Sequence, residues 1–503
     1  MLLKNVNKKL ALALYIIFGA FLLADFVIII KERPLGSFFS PNSNTATIQW
    51  AIFIISVFIG VGLLIYLTSK VVKKINIFGT KLSVFILMIL TVIPRAIWIS
   101  LVNVLPQSDF LAYHSFADLV IKGKVAGNTY ISLFPHYLGY SSFLSVFYKI
   151  FGSEVIVAQI LNVLICCGIT VLIYIIGKRI FGNEVGIFAA LIMVFWPSQI
   201  FYVVLISTEA LYTFLLLLSV YLFIRILDSK SSIGITIIMF IILGMECAVT
   251  NSIRPFGIIM LAAMAIYYLV FYKQNFVILK SALLSKAACL AALFIGYTLF
   301  SSGVTGLINS AVKKDIPKFP AGFNIYVGVN YKSEGSWNIE DANTLMELIK
   351  KPGSTPQETH NELIGMAIDR VKQYSIKTDI NLIYNKFKTM WVVDHDSLVY
   401  IKAGLNKSEP SRMSYEKYER LLVKVSNYYY YAMLILSAIG VACLLKRKEV
   451  SKSLLLILLA LGIASAHIIL EVAGRYHYPA ISIFSLIASF GLVSITQIKR
   501  ASL

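Results

Sequence analysis

The chain has 503 residues, 58% of them hydrophobic and only 14% charged, with a mean hydropathy of +0.80. Soluble globular domains carry roughly a quarter charged residues, so this composition excludes an ordinary soluble fold. The formal net charge of +20 does not point to nucleic acid, because many of the Lys and Arg residues fall in short loops between apolar runs, where they orient membrane helices.

The apolar residues come in runs of about 18 or more, enough to cross a bilayer core as helix. They lack the strict alternation of a transmembrane barrel. In chain order the expected spans are about 10–30, 49–69, 82–102, 154–177, 184–201, 206–228, 232–252, 255–273, 283–304, 427–446, 453–471 and 478–497. The first follows Lys4, Lys8 and Lys9 and has no small-residue cleavage site after it, so it reads as a retained helix. Basic residues recur in every second loop: Lys70, Lys73, Lys74 and Lys81; Lys178 and Arg179; Arg225 and Lys230; Lys273, Lys280 and Lys286; Lys446, Arg447 and Lys448; Lys499 and Arg500. Twelve spans put all of these on one side, which the positive-inside rule makes cytoplasmic together with both termini. Lys31 and Arg33 are the exception.

Three segments fall on the other, extracytoplasmic side. The first, 103–153, holds Asp109 and an aromatic stretch from Phe134 to Lys149, which is too short to span and is expected as an interfacial helix. The second is the short turn Pro197–Ser207 leading to Glu209. The third, 305–426, is richer in Gly, Asn, Asp and Glu. Glu358–Tyr374 has helical spacing, with Leu363, Met366, Ala367 and Val371 on one face. The chain therefore reads as an all-α integral membrane protein, a polytopic bundle of about twelve transmembrane helices with a small, mainly helical extracytoplasmic domain. Its expected parts are two extra N-terminal helices (1–81), a core (82–304), the outer domain (305–426) and the last helices (427–503).

Asp109, Glu209, Arg254 and Arg475 come from four separate spans, yet all stand at the same membrane face. Ionisable groups there carry a functional expectation. Transfer of a sugar from a lipid phosphate needs a carboxylate to take the acceptor's proton and a cation to hold the departing phosphate. Asp109, in Pro106-Gln107-Ser108-Asp109, is the candidate base; the alternative is a helix-starting carboxylate. Glu209 is either a second acidic position or a complement to a helix dipole. Arg254 is a phosphate ligand or snorkels to headgroups. Arg475 is a phosphate ligand or pairs with Glu471 one helical turn away. The five cysteines lie in apolar runs, and neither they nor the histidines have metal-ligand spacing. No Walker loop occurs.

From Arg95 to Phe223 the order of features resembles the C-type (GT-C) polytopic glycosyltransferases, specifically protein O-mannosyltransferases and the bacterial lipid A aminoarabinose transferase. The matching pieces are Pro106-Gln107-Ser108-Asp109, Ala117-Asp118-Leu119, Phe134-Pro135-His136-Tyr137, Gly177-Lys178-Arg179, Phe195-Trp196-Pro197-Ser198 and Ser207-Thr208-Glu209. Later come Ile253-Arg254-Pro255 and Arg475-Tyr476-His477-Tyr478-Pro479. The resemblance implies a GT-C-like bundle that moves a sugar from a polyprenyl-phosphate donor, with inversion, on the extracytoplasmic face of the cell membrane. The acceptor would be an envelope glycan, a lipid or a protein. It further implies Asp109 as the catalytic base and Glu209 as the second acidic position of the catalytic pair, with Arg254 and Arg475 as donor-phosphate ligands; His477 is a further candidate phosphate ligand. Tyr113, Asp118, His136, Tyr137 and Trp337 are the candidate sugar or acceptor contacts. Asp109 is followed by Phe110 where the mannosyltransferases often carry a second acid, which weakens a metal reading. No cofactor is expected to be required, and a divalent metal stays an open alternative. A transporter or flippase of lipid-linked sugars is the competing reading.

Overall fold

The computed structural model describes residues 2–39, 43–72, 79–272 and 279–501. Lys73, Lys74 and Lys273, used above to orient the chain, lie outside them. The helices are α1 (Leu2–Glu32), α2 (Ser43–Val71), α3 (Thr80–Leu101), α4 (Ser108–Ile121), α5 (Thr129–Leu133), α6 (His136–Phe151), α7 (Val155–Phe181), α8 (Asn183–Phe195), α9 (Pro197–Tyr202), α10 (Glu209–Asp228), α11 (Ile233–Ile253), α12 (Gly257–Ile266), α13 (Leu279–Val312), α14 (Gly322–Gly328), α15 (Ile339–Lys350), α16 (Pro356–Lys372), α17 (Ile376–Trp391), α18 (Asp396–Gly404), α19 (Tyr415–Arg447), α20 (Ser453–Ile469) and α21 (Tyr478–Ala501). The described residues form no strand, only an isolated bridge between Val104 and Leu405.

Among the described residues nine helices are long and apolar enough to cross a membrane: α1, α2, α3, α7, α10, α11, α13, α19 and α21. Three shorter apolar helices, α8, α12 with its following turn, and α20, carry the other expected spans. The all-helical, multi-pass fold is thus as expected. The run 184–201, however, is not one helix. Pro197 has no N–H to continue the ladder, so α8 stops at Phe195 and α9 starts afresh. The carbonyls this frees are taken up by Arg95, fully buried on α3. Its guanidinium donates to Met193 O at 3.1 Å, Val194 O at 3.0 Å and Gln199 Oε1 at 2.5 Å. Unpaired carbonyls within a bilayer cost several kcal/mol each, which accounts for an arginine there.

The Tyr478–Val493 part of α21 is enclosed by α19, α8, α2, α10 and α20, with side chains such as Ile481, Phe484 and Leu486 at 0–1% exposure. The outer faces of α2, α3 and α13 leave Ile59, Phe85, Leu299 and similar residues exposed, as suits helices solvated by lipid. The α11–α13 contact is close because Gly244 faces the Leu293 carbonyl and Gly296 faces the Ile241 carbonyl. This is small-residue packing of the kind membrane helices use.

At the far end of α10 from Glu209, Arg179 and Lys452 converge on Asp228, and Lys8, Lys9 and Lys448 line one cavity. The opposite end carries α4–α6 and α14–α18. There α6 packs on α4 and α11, burying Tyr137, Tyr140, Leu144 and Tyr148. Helices α13 and α19 run past the ends expected for their spans, so the intervening helices begin after Val312 and end before Tyr415. On α16 the buried positions are Leu363 and Ala367, while Val371 is exposed at 40% and leaves the expected face. These helices are tied to the bundle by hydrogen bonds. Lys386 Nζ donates to Gly328 O at 2.6 Å and Ile468 O at 2.8 Å; Trp196 Nε1 donates to Asp394 Oδ2 at 2.6 Å; Glu471 N donates to Asn324 O at 2.8 Å.

Candidate active site

Asp109 lies in the first turn of α4, after Ser108, whose φ of 51° is left-handed. Non-glycine residues rarely adopt it, and such strain gathers at functional sites. The Asp109 carboxylate accepts from Tyr137 Oη at 2.7 Å and from Arg475 Nη2. Arg475 comes from the short 3-10 turn Gly474–His477 that precedes α21. Its Nε stands 3.8 Å from Glu209 Oε1. Glu209 opens α10, is 1% exposed, and receives Arg254 Nη2. Arg254, just past α11, also donates from Nε to Thr208 Oγ1 at 2.7 Å. Four elements distant in sequence thus build one chain of charge: Asp109, Arg475, Glu209, Arg254.

Aromatic rings wall it. Tyr113 stacks on Tyr137 with centroids 4.8 Å apart. The Arg475 guanidinium sits over Phe110, Tyr400 and Tyr476 at 5.6, 5.3 and 5.6 Å, and Arg254 lies over the same Tyr476 at 5.3 Å. Such contacts strengthen in a site that excludes water. Burial pushes the Asp109 pKa up, but the Arg475 guanidinium and the Tyr137 hydroxyl outweigh it and hold the carboxyl below its usual range. Burial lowers His136 to about 4, leaving a neutral imidazole beside Tyr137.

Not every residue singled out in the sequence joins this cluster. His477 is turned away: its Nδ1 meets Met390 O and its Nε2 lies 3.2 Å from Asp394 Oδ1, between the rings of Trp391 and Tyr430. With both nitrogens engaged it is not available to a donor phosphate. Asp118 pairs with Lys122 at 3.6 Å on the surface of α4. Trp337 is 58% exposed, in the loop before α15. Arg475 pairs with Asp109 rather than with Glu471, and Arg254 is 9% exposed rather than snorkelling. The Glu209 position satisfies both of its readings, since it opens a helix and faces a guanidinium.

The sequence reading missed Asp396. It opens α18, and its carboxylate abuts Gly474, next to Arg475. Burial is the main cause of its pKa rising to about 6. The Asp394-His395-Asp396-Ser397 run was the available signal, two acids flanking a histidine behind an amphipathic helix. Tyr202 and Tyr400 were missed as well. Among the described residues no group of three His, Cys, Asp or Glu side chains is placed to hold a metal, and the cation between Asp109 and Glu209 is a guanidinium.

Residues 136–301 match the family described as dolichyl-phosphate-mannose-protein mannosyltransferase. This bears out the GT-C resemblance. The matched stretch includes His136, Tyr137, Glu209 and Arg254, whereas Asp109 and Arg475 lie outside it. Among solved structures, the chain is similar to the archaeal oligosaccharyltransferase AglB from Archaeoglobus fulgidus, in complex with an inhibitory peptide and a dolichol-phosphate. The identity is 12%, the TM-score 0.46, and the match covers 84% of this chain and 51% of that one. It is also similar to ArnT from Cupriavidus metallidurans bound to undecaprenyl phosphate, at 10% identity and TM-score 0.34, covering 82% and 77%. The chain spans about half the length of the archaeal enzyme. No curated protein matches it significantly.

Proposed function

We propose that the protein is an inverting glycosyltransferase that moves a sugar from a polyprenyl-phosphate donor to an envelope glycan, lipid or protein acceptor at the extracytoplasmic face. The observation that carries this reading is the Asp109–Arg475 pair standing beside the Glu209–Arg254 pair in one aromatic-walled cluster. The family match over 136–301 supports the class of reaction.

The donor phosphate competes with Asp109 for Arg475, since guanidinium binds phosphate through two parallel hydrogen bonds. Drawing Arg475 away removes the charge that depresses the Asp109 pKa. The carboxylate then becomes a stronger base once the donor has bound. The acceptor hydroxyl attacks the anomeric carbon as the carbon–oxygen bond to the phosphate breaks. Its proton passes to Asp109, and the lipid phosphate leaves with the bonding electrons, its charge held by Arg475 and Arg254. Glu209 keeps Arg254 oriented.

The test is transfer in proteoliposomes, with radiolabelled polyprenyl-phosphate sugars and envelope acceptors. Asp109→Asn should lower turnover about 10²- to 10⁴-fold, the range for a general base, with insertion and melting matched to wild type. Retained transfer removes Asp109 as the base. If the wild type carries intact lipid-linked sugar across the bilayer and transfers none, it is a flippase.

A further inference from the structure

Around the charged cluster, four polar atoms closed off from solvent have no hydrogen-bond partner among the described residues: Glu209 Oε2, Tyr202 Oη, Arg475 Nε and Asp396 Oδ2. Glu209 is 1% and Tyr202 4% exposed. A buried polar group without a partner costs about 1–3 kcal/mol, and native folds leave few of them. These four share one neighbourhood. Arg475 Nε is 3.8 Å from Glu209 Oε1. The Asp396 carboxylate lies against Gly474, beside Arg475. Tyr202 ends α9, which packs against α18, the helix that Asp396 opens.

The donor set narrows what could complete the site. It offers one guanidinium N–H, two carboxylate oxygens and a phenol that both donates and accepts. At these four atoms a phosphate would meet two carboxylate oxygens against a single guanidinium N–H, a poorer match than the Arg475 and Arg254 guanidinium groups assigned to it above, and a metal ion would face a guanidinium. A polyhydroxylated ring suits all four, because each of its hydroxyls both donates and accepts, and the Tyr400 ring beside Arg475 offers an apolar face. We propose that these four atoms form a subsite for the hydroxyls of a single sugar ring, with Asp396 as its specificity-determining acceptor. The segment between α13 and α19 then supplies a substrate contact through α18. The glycosyltransferase reading supplies the expected ligand, a lipid-linked monosaccharide.

The test compares binding of undecaprenyl phosphate with that of its mannosyl, glucosyl and galactosyl phosphodiesters, using the full chain in nanodiscs. Wild type should prefer at least one sugar-bearing lipid about tenfold over the bare lipid phosphate. Asp396→Asn and Tyr202→Phe should each erase most of that preference. Unchanged binding of undecaprenyl phosphate in both variants shows that they are folded. The proposal is overturned if wild type has no preference for any of the three sugars, or if both variants keep it. A protein that shows the Asp396-dependent preference yet transfers no sugar retains the subsite and loses the glycosyltransferase reading. One that transfers sugar with its preference untouched in both variants does the reverse.

Discussion

Asp109 was legible in the sequence for a physical reason: a carboxylate at the end of an apolar run is rare enough to need a partner or a task. The same logic singled out Glu209, Arg254 and Arg475, which the fold brings together with Asp109. It failed for Asp396, because an acid within a polar segment has no such contrast with its surroundings. It erred on His477, whose neighbours Asp394 and Met390 come from sequence that spacing could not bring near. The partnership of Asp109 with Arg475 gives one expectation. Arg475→Lys keeps a charge but loses the planar fork, and should weaken undecaprenyl phosphate binding about tenfold or more in a titration, while Arg475→Ala should abolish it. Asp396 gives another, in pH. Its pKa rises from 3.8 to about 6 on folding, so between these values the native state binds more protons than the unfolded chain. Stability therefore falls as pH rises through that window and stays lower above it. Asp396→Asn removes the penalty. The variant should melt higher than wild type at pH 7.5, by on the order of 1–3 kcal/mol at 1.36 kcal/mol per unit, and the gap should close towards pH 4. An equal gain at both pH values would mean that the carboxyl is not the cause.

Helix boundaries were less legible than helix existence. Hydropathy saw 184–201 as one span because Ile200 and Phe201 are as apolar as Leu191 and Ile192. Only the missing N–H of Pro197 distinguishes the two halves, and only the fold shows Arg95 serving the freed carbonyls. Arg95→Leu should therefore cost more than an ordinary large core substitution, leaving Met193 and Val194 carbonyls unsatisfied in an apolar interior. Thermal unfolding in detergent, set against Leu87→Ala on the same helix, checks this. Helix α17 is tied to two other helices by one buried lysine. Lys386, 2% exposed, bonds carbonyls on α14 and α20. Lys386→Met should loosen the helices between α13 and α19 before it unfolds the bundle. Limited proteolysis should then cut within 313–414 several-fold faster than in wild type, while the long helices stay intact.

The whole molecule is polarised. Arg179 and Lys452 meet Asp228, and Lys8, Lys9 and Lys448 line a cavity, at one end of the helices, and the carboxylate–guanidinium cluster sits at the other end. The proposed orientation, which follows the positive-inside rule, makes the first end cytoplasmic. A cysteine in place of Lys351, whose side chain is 54% exposed, should react with a membrane-impermeant maleimide on intact cells. One in place of Lys448 should react only after permeabilisation. The reverse pattern would put the cluster on the cytoplasmic side and remove the proposed donor. Most of the apolar helices could be read from the chain because a bilayer selects them by length and composition, although 184–201 was read as one span and is two helices. The docking of α14–α18 could not, since it rests on contacts such as Trp196 with Asp394 between residues far apart in the sequence.

The distance between Asp109 and Arg475 has a consequence for biosynthesis. They lie 366 positions apart, and at about 5–20 residues per second the ribosome makes the acid roughly 20–70 s before its partner. Through that interval α4–α6 must fold around a carboxylate whose guanidinium does not yet exist. A chain released early would hold Glu209 and Arg254 together and leave Asp109 with Tyr137 but without its guanidinium. On the proposed function, a chain that still lacks the turn before α21 lacks a donor-phosphate ligand and stays inert.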